Sequence, residues 1–78
     1  MYLLTKEKTL INLNHIKGIY FWGIPNKERI NVVYEDEKGI VHMLADYENK
    51  AQANTLVSDI AKAMAEGLEV YAPFAMED

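Results

Sequence analysis

One stretch of this chain has a period long enough to define an element without help from its surroundings: Asn49–Gly67, NKAQANTLVSDIAKAMAEG. At about 100° per residue, Ala53, Leu56, Val57, Ile60, Met64 and Gly67 fall on one side of a helix. Asn54, Thr55, Ser58, Asp59, Lys62 and Glu66 fall on the other. That is one apolar stripe on a polar cylinder. Asn49 is a good N-cap with Gln52 three residues on, the spacing of a capping box. Gly67 is suited to the left-handed residue that ends a helix. A helix of this length is marginal alone in water, so the stripe must be buried against the rest of the chain.

The residues before it read as short strands joined by turns. Tyr2–Thr5 is an apolar run closed by Lys6-Glu7-Lys8, and Leu10–Leu13 is a second, closed by Asn14-His15. Ile19–Ile24 (IYFWGI) is rich in β-branched and aromatic residues and ends in the turn chemistry of Pro25–Glu28. Ile30–Glu35 and Ile40–Ala45 flank Asp36-Glu37-Lys38-Gly39, a hairpin turn with glycine where a positive φ is needed. After Gly67, Leu68–Tyr71 suits a last short strand that Pro73 stops, and Phe74–Asp78 reads as a tail. The expectation is a single α+β domain over residues 1–78. It has an antiparallel meander of about five short strands, the helix (about residues 49–67) packed on one sheet face, and a short C-terminal strand or tail.

Composition sets limits. A chain of 8.9 kDa buries a little over about 60% of its unfolded surface, enough for one small core. Half the residues are apolar, which argues against disorder. There is no cysteine, so disulfides and thiolate metal sites are excluded, and a reducing compartment, the cytoplasm, is compatible. No apolar run reaches the length of a membrane-spanning helix, and a net charge of −4 disfavours nucleic acid and anionic membranes as partners.

Candidate chemistry is sparse. If residues 42–46 alternate as a regular strand, His42 and Asp46 share a face, but a zinc site wants at least three protein ligands. His15 is a turn residue. Glu35-Asp36-Glu37 diverge around a hairpin, whereas catalytic carboxylates must converge. Ser58, the single serine, lies on the polar helix face with no histidine nearby. The glycines at 18, 23, 39 and 67 are too scattered for a phosphate loop. No catalytic residue, cofactor or metal is expected, and the chain is read as not an enzyme.

The unusual feature is that Ile19–Ile24 is apolar on both faces. One helix covers one face. Ile19, Phe21, Ile30 and Val32 are expected to face the helix, with Val41, Met43 and Ala45 placed inward beside them. Tyr20, Trp22, Val33 and His42 are then expected on the opposite face, as an interaction surface. Three covers suit that face: the N-terminal strand and the Phe74 tail, a second copy of the chain, or a foreign protein or small ligand.

The order INLNHI, an IYF strand, a turn and two strands, then YENK before an amphipathic helix ending A-x-x-x-G resembles small proteins of phages and prophages of Gram-positive bacteria. The resemblance covers roughly residues 2–71. It implies a cytoplasmic, phage-encoded accessory protein and carries over no functional residue. The functional expectation is a protein-interaction module, an anti-defence protein binding a host protein or forming a homo-oligomer. The alternatives are an oligomeric binder of a nucleotide signal, which needs cations beside its aromatics, and a structural or assembly component.

Overall fold

A computed structural model of the chain describes residues 1–23 and 29–75. The elements run β1 (Tyr2–Leu4), β2 (Leu10–Asn12), a 3₁₀ turn (Leu13–His15), β3 (Ile16–Gly23), β4 (Ile30–Asp36), β5 (Val41–Tyr47), α1 (Lys50–Ala65) and β6 (Val70–Tyr71). The expected strand end at Ile24, the turn over Pro25–Glu28 and the last three residues of the expected tail lie outside the described residues.

The fold is α+β, as the pattern implies, with the strands divided between two sheets. One has the order β3-β4-β5 and is the antiparallel meander; the other has the order β2-β1-β6. In the second, β1 pairs with β2 antiparallel and with β6 parallel, in register Tyr2↔Val70 and Leu3↔Tyr71. The 3₁₀ turn carries the chain from one sheet to the other. Its start is fixed by Asn12, whose side chain accepts from Asn14 N at 3.0 Å.

The hairpin turns between β1 and β2 and between β4 and β5 use the same device. Asp36 N donates to Ile40 O and Gly39 N to Asp36 O, with Gly39 at φ +84°. Thr5 N donates to Thr9 O and Lys8 N to Thr5 O, with Lys8 at φ +67°. Each is a three-residue loop whose last residue is left-handed. The first side chain braces each loop: Asp36 Oδ1 accepts from Ile40 N at 2.9 Å, and Thr5 Oγ1 from Thr9 N at 3.1 Å.

The helix is capped as its sequence indicates. Asn49 Oδ1 accepts from Gln52 N at 3.0 Å, and Gln52 Oε1 accepts from Glu48 N at 3.2 Å. At the other end Gly67, at φ +75°, donates to Met64 O, and Leu68 N donates to Ala63 O. These two bonds form a Schellman motif. The buried helix face is Ala53, Leu56, Ile60 and Ala63. Met64, expected in the stripe, is instead 48% exposed. The buried positions follow the i, i+3, i+7, i+10 spacing of one helix face, so Ala63 and not Met64 turns inward at the last turn.

The core is one cluster in which helix residues Ala53, Leu56 and Ile60 meet Val32, Leu44 and Ala45 from the meander, Leu3 and Leu13 from the N-terminal part, and Phe74. Phe74 is therefore a core residue and not part of a tail. Ile19, Phe21, Ile30 and Tyr34 pack against the same cluster. Among the described residues no helix is long and apolar enough to cross a membrane.

Candidate interaction surface

Register decides which side chains reach the face of β3-β4-β5 turned away from the helix. Along β3 and β4 the pairs Ile19↔Tyr34 and Phe21↔Val32 face the core, so Gly18↔Glu35, Tyr20↔Val33 and Trp22↔Asn31 face outward. In β5 the alternation breaks. Val32 pairs with Ala45 but Val33 with Met43, leaving Leu44 as an extra residue. This bulge lets Leu44 and Ala45, adjacent in sequence, both enter the core. It also turns the residues before them over.

The bulge corrects three expectations. Val41 and Met43, both expected inward, lie opposite Glu35 and Val33 on the outer face, and Met43 is 56% exposed. His42, expected on the outer face, lies opposite Tyr34 on the core side, its ring stacked on Tyr34 with centroids 4.8 Å apart. His42 and Asp46 therefore do not converge. His42 Nε2 lies 2.9 Å from Asp36 Oδ2, while Asp46 holds Arg29. Among the described residues no group of three or more His, Cys, Asp or Glu is placed to hold a metal ion.

The outer face brings together three of the four expected residues: Tyr20, Trp22 and Val33. Trp22 is 49% exposed, whereas Val33, on the central strand between Tyr20 and Met43, is 1% exposed. Val33 is thus the floor of the patch rather than a contact. Polar groups frame its two ends. At one, Tyr20 Oη donates to Glu35 Oε1 at 3.0 Å, and Lys17 Nζ lies 3.8 Å from Glu35 Oε2. Burial, and then this bond to Glu35, raise the Tyr20 phenol above its ordinary value. At the other, Arg29 grips Asp46 through Nε and Nη2, the shortest contact being 2.7 Å. Asn31 sits between Trp22 and Asp46, and its buried Oδ1 has no hydrogen-bond partner among the described residues.

The pattern of the sequence drew no attention to a second exposed strip. Tyr2, Leu10 and Val70 are each about half exposed on one face of β2-β1-β6. The alternation of Tyr2 and Leu4 around buried Leu3 was the available signal.

On the core side, His42 belongs to the hairpin rather than to a reactive pair. Asp36 accepts from Lys38 N and Ile40 N and from His42. These bonds, His42 first and Ile40 next, hold the Asp36 carboxyl below its usual value. A carboxyl depressed in the fold contributes stability above its unfolded value, and that contribution is lost as pH falls through the folded one. Asp36→Asn should therefore melt below the parent at neutral pH. The gap should close as the pH falls from neutral through the ordinary aspartate value of about 4 and below it. Thermal melts of both proteins across that range would show it, and a constant gap would mean that the carboxylate charge plays no part.

No family model, curated protein or solved structure matches the chain.

Proposed function

We propose that this chain is a non-enzymatic interaction module that binds another protein through the outer face of β3-β4-β5, with Trp22 as the anchor. The observation that carries the reading is the half-exposed Trp22 on the same sheet face as the half-exposed Met43, two strands away, with the buried Val33 of the central strand between them. The helix is committed to the other face. Leu3 and Phe74, the chain's own candidates to cover the patch, are in the helix-side core. Tryptophan offers a large apolar area and one N–H donor, and such residues dominate binding energies.

The resemblance to small phage proteins supports an accessory role in the host cytoplasm, with a host protein, such as a defence component, as the target. A nucleotide-signal binder is the weaker reading. Lys17 on β3 and Arg29 just before β4 already face Glu35 and Asp46, and phosphates would need them free.

The test compares affinity captures from a bacterial lysate. A protein retained by the parent and by Lys62→Ala should be lost with Trp22→Ala and with Met43→Asp. Trp22→Ala should weaken association by about 2 kcal/mol or more and keep a cooperative melt. A buried tryptophan would instead cost roughly 3–5 kcal/mol of folding stability on truncation. A Trp22→Ala protein that is unfolded, or one that retains the captured protein, rejects the reading.

A further inference from the structure

The free edge of β3 carries a second message. In the order β3-β4-β5 this strand pairs on one side only among the described residues, so along Ile16–Gly23 one row of backbone N–H and C=O groups is open to another strand. Beside it runs an apolar groove between the strand and α1, lined among others by Ile16, Ile19, Val57, Ile60 and Met64. Met64 is about half exposed there. We infer that a second copy of this chain pairs antiparallel along the β3 edge, about a two-fold axis at Tyr20, joining the two meanders into one continuous sheet. The contact uses the edge of β3 and, of the outer face, Gly18, Tyr20 and Trp22 alone, so it stands apart from whatever the rest of that face binds.

The register follows from the side chains. In a two-fold antiparallel pair each residue faces a residue on the same side of the sheet. With Tyr20 facing its own copy, Ile19 faces Phe21 on the core side, next to the groove. On the outer side Gly18 faces Trp22 of the second copy. A Cβ added at Gly18 would meet nothing within 4 Å in the single chain, so the indole has open backbone to lie on. An aromatic residue across from a strand glycine is a favourable pair. The arrangement occurs twice, by symmetry, so the segment Gly18–Trp22 is complementary to itself.

Charge allows the approach. The chain is net acidic, at −4, yet Ile16–Gly23 contains no carboxylate. Its one charged residue, Lys17, lies at one end, so the two-fold places the two lysines at opposite ends of the contact. The length of the pairing limits its strength. Such an edge contact is small against the roughly 1,200–2,000 Å² of a standard interface, so the dimer is weak and concentration-dependent.

The test is sedimentation velocity between roughly 10 µM and 2 mM, the range in which a contact of this size associates. The parent should move from 8.9 kDa toward twice that mass. Gly18→Lys puts a side chain where the indole of the second copy would lie. The position is open in the monomer and its cross-strand neighbour is Glu35, so the monomer should melt as the parent does. Its dissociation constant should rise roughly thirtyfold, the effect of losing one aromatic anchor. Met43→Lys, on the far strand β5, should dimerise as the parent does.

A parent that stays monomeric throughout overturns the inference. Loss of a captured protein with Trp22→Ala would then still leave the interaction-module reading standing. Dimerisation abolished by Met43→Lys but untouched by Gly18→Lys also overturns it, in favour of two faces stacked together. Edge pairing that responds to Gly18→Lys supports it even if no foreign protein binds.

Discussion

Ile60→Asp should abolish the cooperative thermal transition of this protein. Ile60 is 3% exposed and sits in the core cluster with Leu56, Val32 and Leu44. A carboxylate there has lost its water and gained no partner, which costs several kcal/mol. The whole stability of a small domain is about 5–15 kcal/mol, and a chain of this size belongs at the lower end. Neighbouring positions sharpen the test. Ala63, 4% exposed, should behave like Ile60 when replaced by Asp, whereas Met64, 48% exposed, should tolerate Asp within about 0.5 kcal/mol. Circular-dichroism melts of the three variants decide it. If Met64→Asp unfolds the protein and Ala63→Asp does not, the helix is rotated from the orientation described.

That comparison also marks what the sequence made legible. A sixteen-residue helix repeats its pattern over several turns, so its existence, both caps and most of its buried face follow from the residues. The hairpin glycine at position 39 was legible for the same kind of reason, since the chemistry is local. The strand pattern gave the α+β class and the pairing of Tyr20, Trp22 and Val33 on one face. It failed at Leu44. A period of two has no memory: one bulged residue inverts every side chain before it, and nothing in Val41–Tyr47 announces the bulge. His42 and Met43 therefore exchanged faces. Burial of Val33 was equally hidden, because it depends on flanking side chains from two other strands. The division into two sheets was out of reach too. It depends on the parallel pairing of β1 with β6, which is two residues long and joins the ends of the chain.

Phe74→Ala should be nearly as damaging as Ile60→Asp, although Phe74 stands four residues from the end of the chain. A lone aromatic after Pro73 belongs to no periodic pattern, and position alone suggests a tail. Burial argues otherwise. Phe74 is 4% exposed within the cluster that holds Leu3, Leu13 and Leu44. It is brought there by β6, whose parallel pairing on β1 places the chain end beside the N-terminal strand. Removing the ring leaves a cavity and should cost roughly 3–5 kcal/mol. At about 4–8 °C per kcal/mol for a domain of this size, the melting temperature should fall by some 12 °C or more. Lys6 separates packing from charge. Its Nζ lies 5.2 Å from the centre of the Phe74 ring, a contact worth about 0.5–1 kcal/mol at an exposed site. Phe74→Leu should therefore recover most of the loss, because it restores apolar volume without a π face, and Lys6→Ala should cost little. A Phe74→Ala protein melting with the parent would mean that the C-terminal segment does not close the core. The two sheets would then be joined by the helix and by Leu3 and Leu13 in the core.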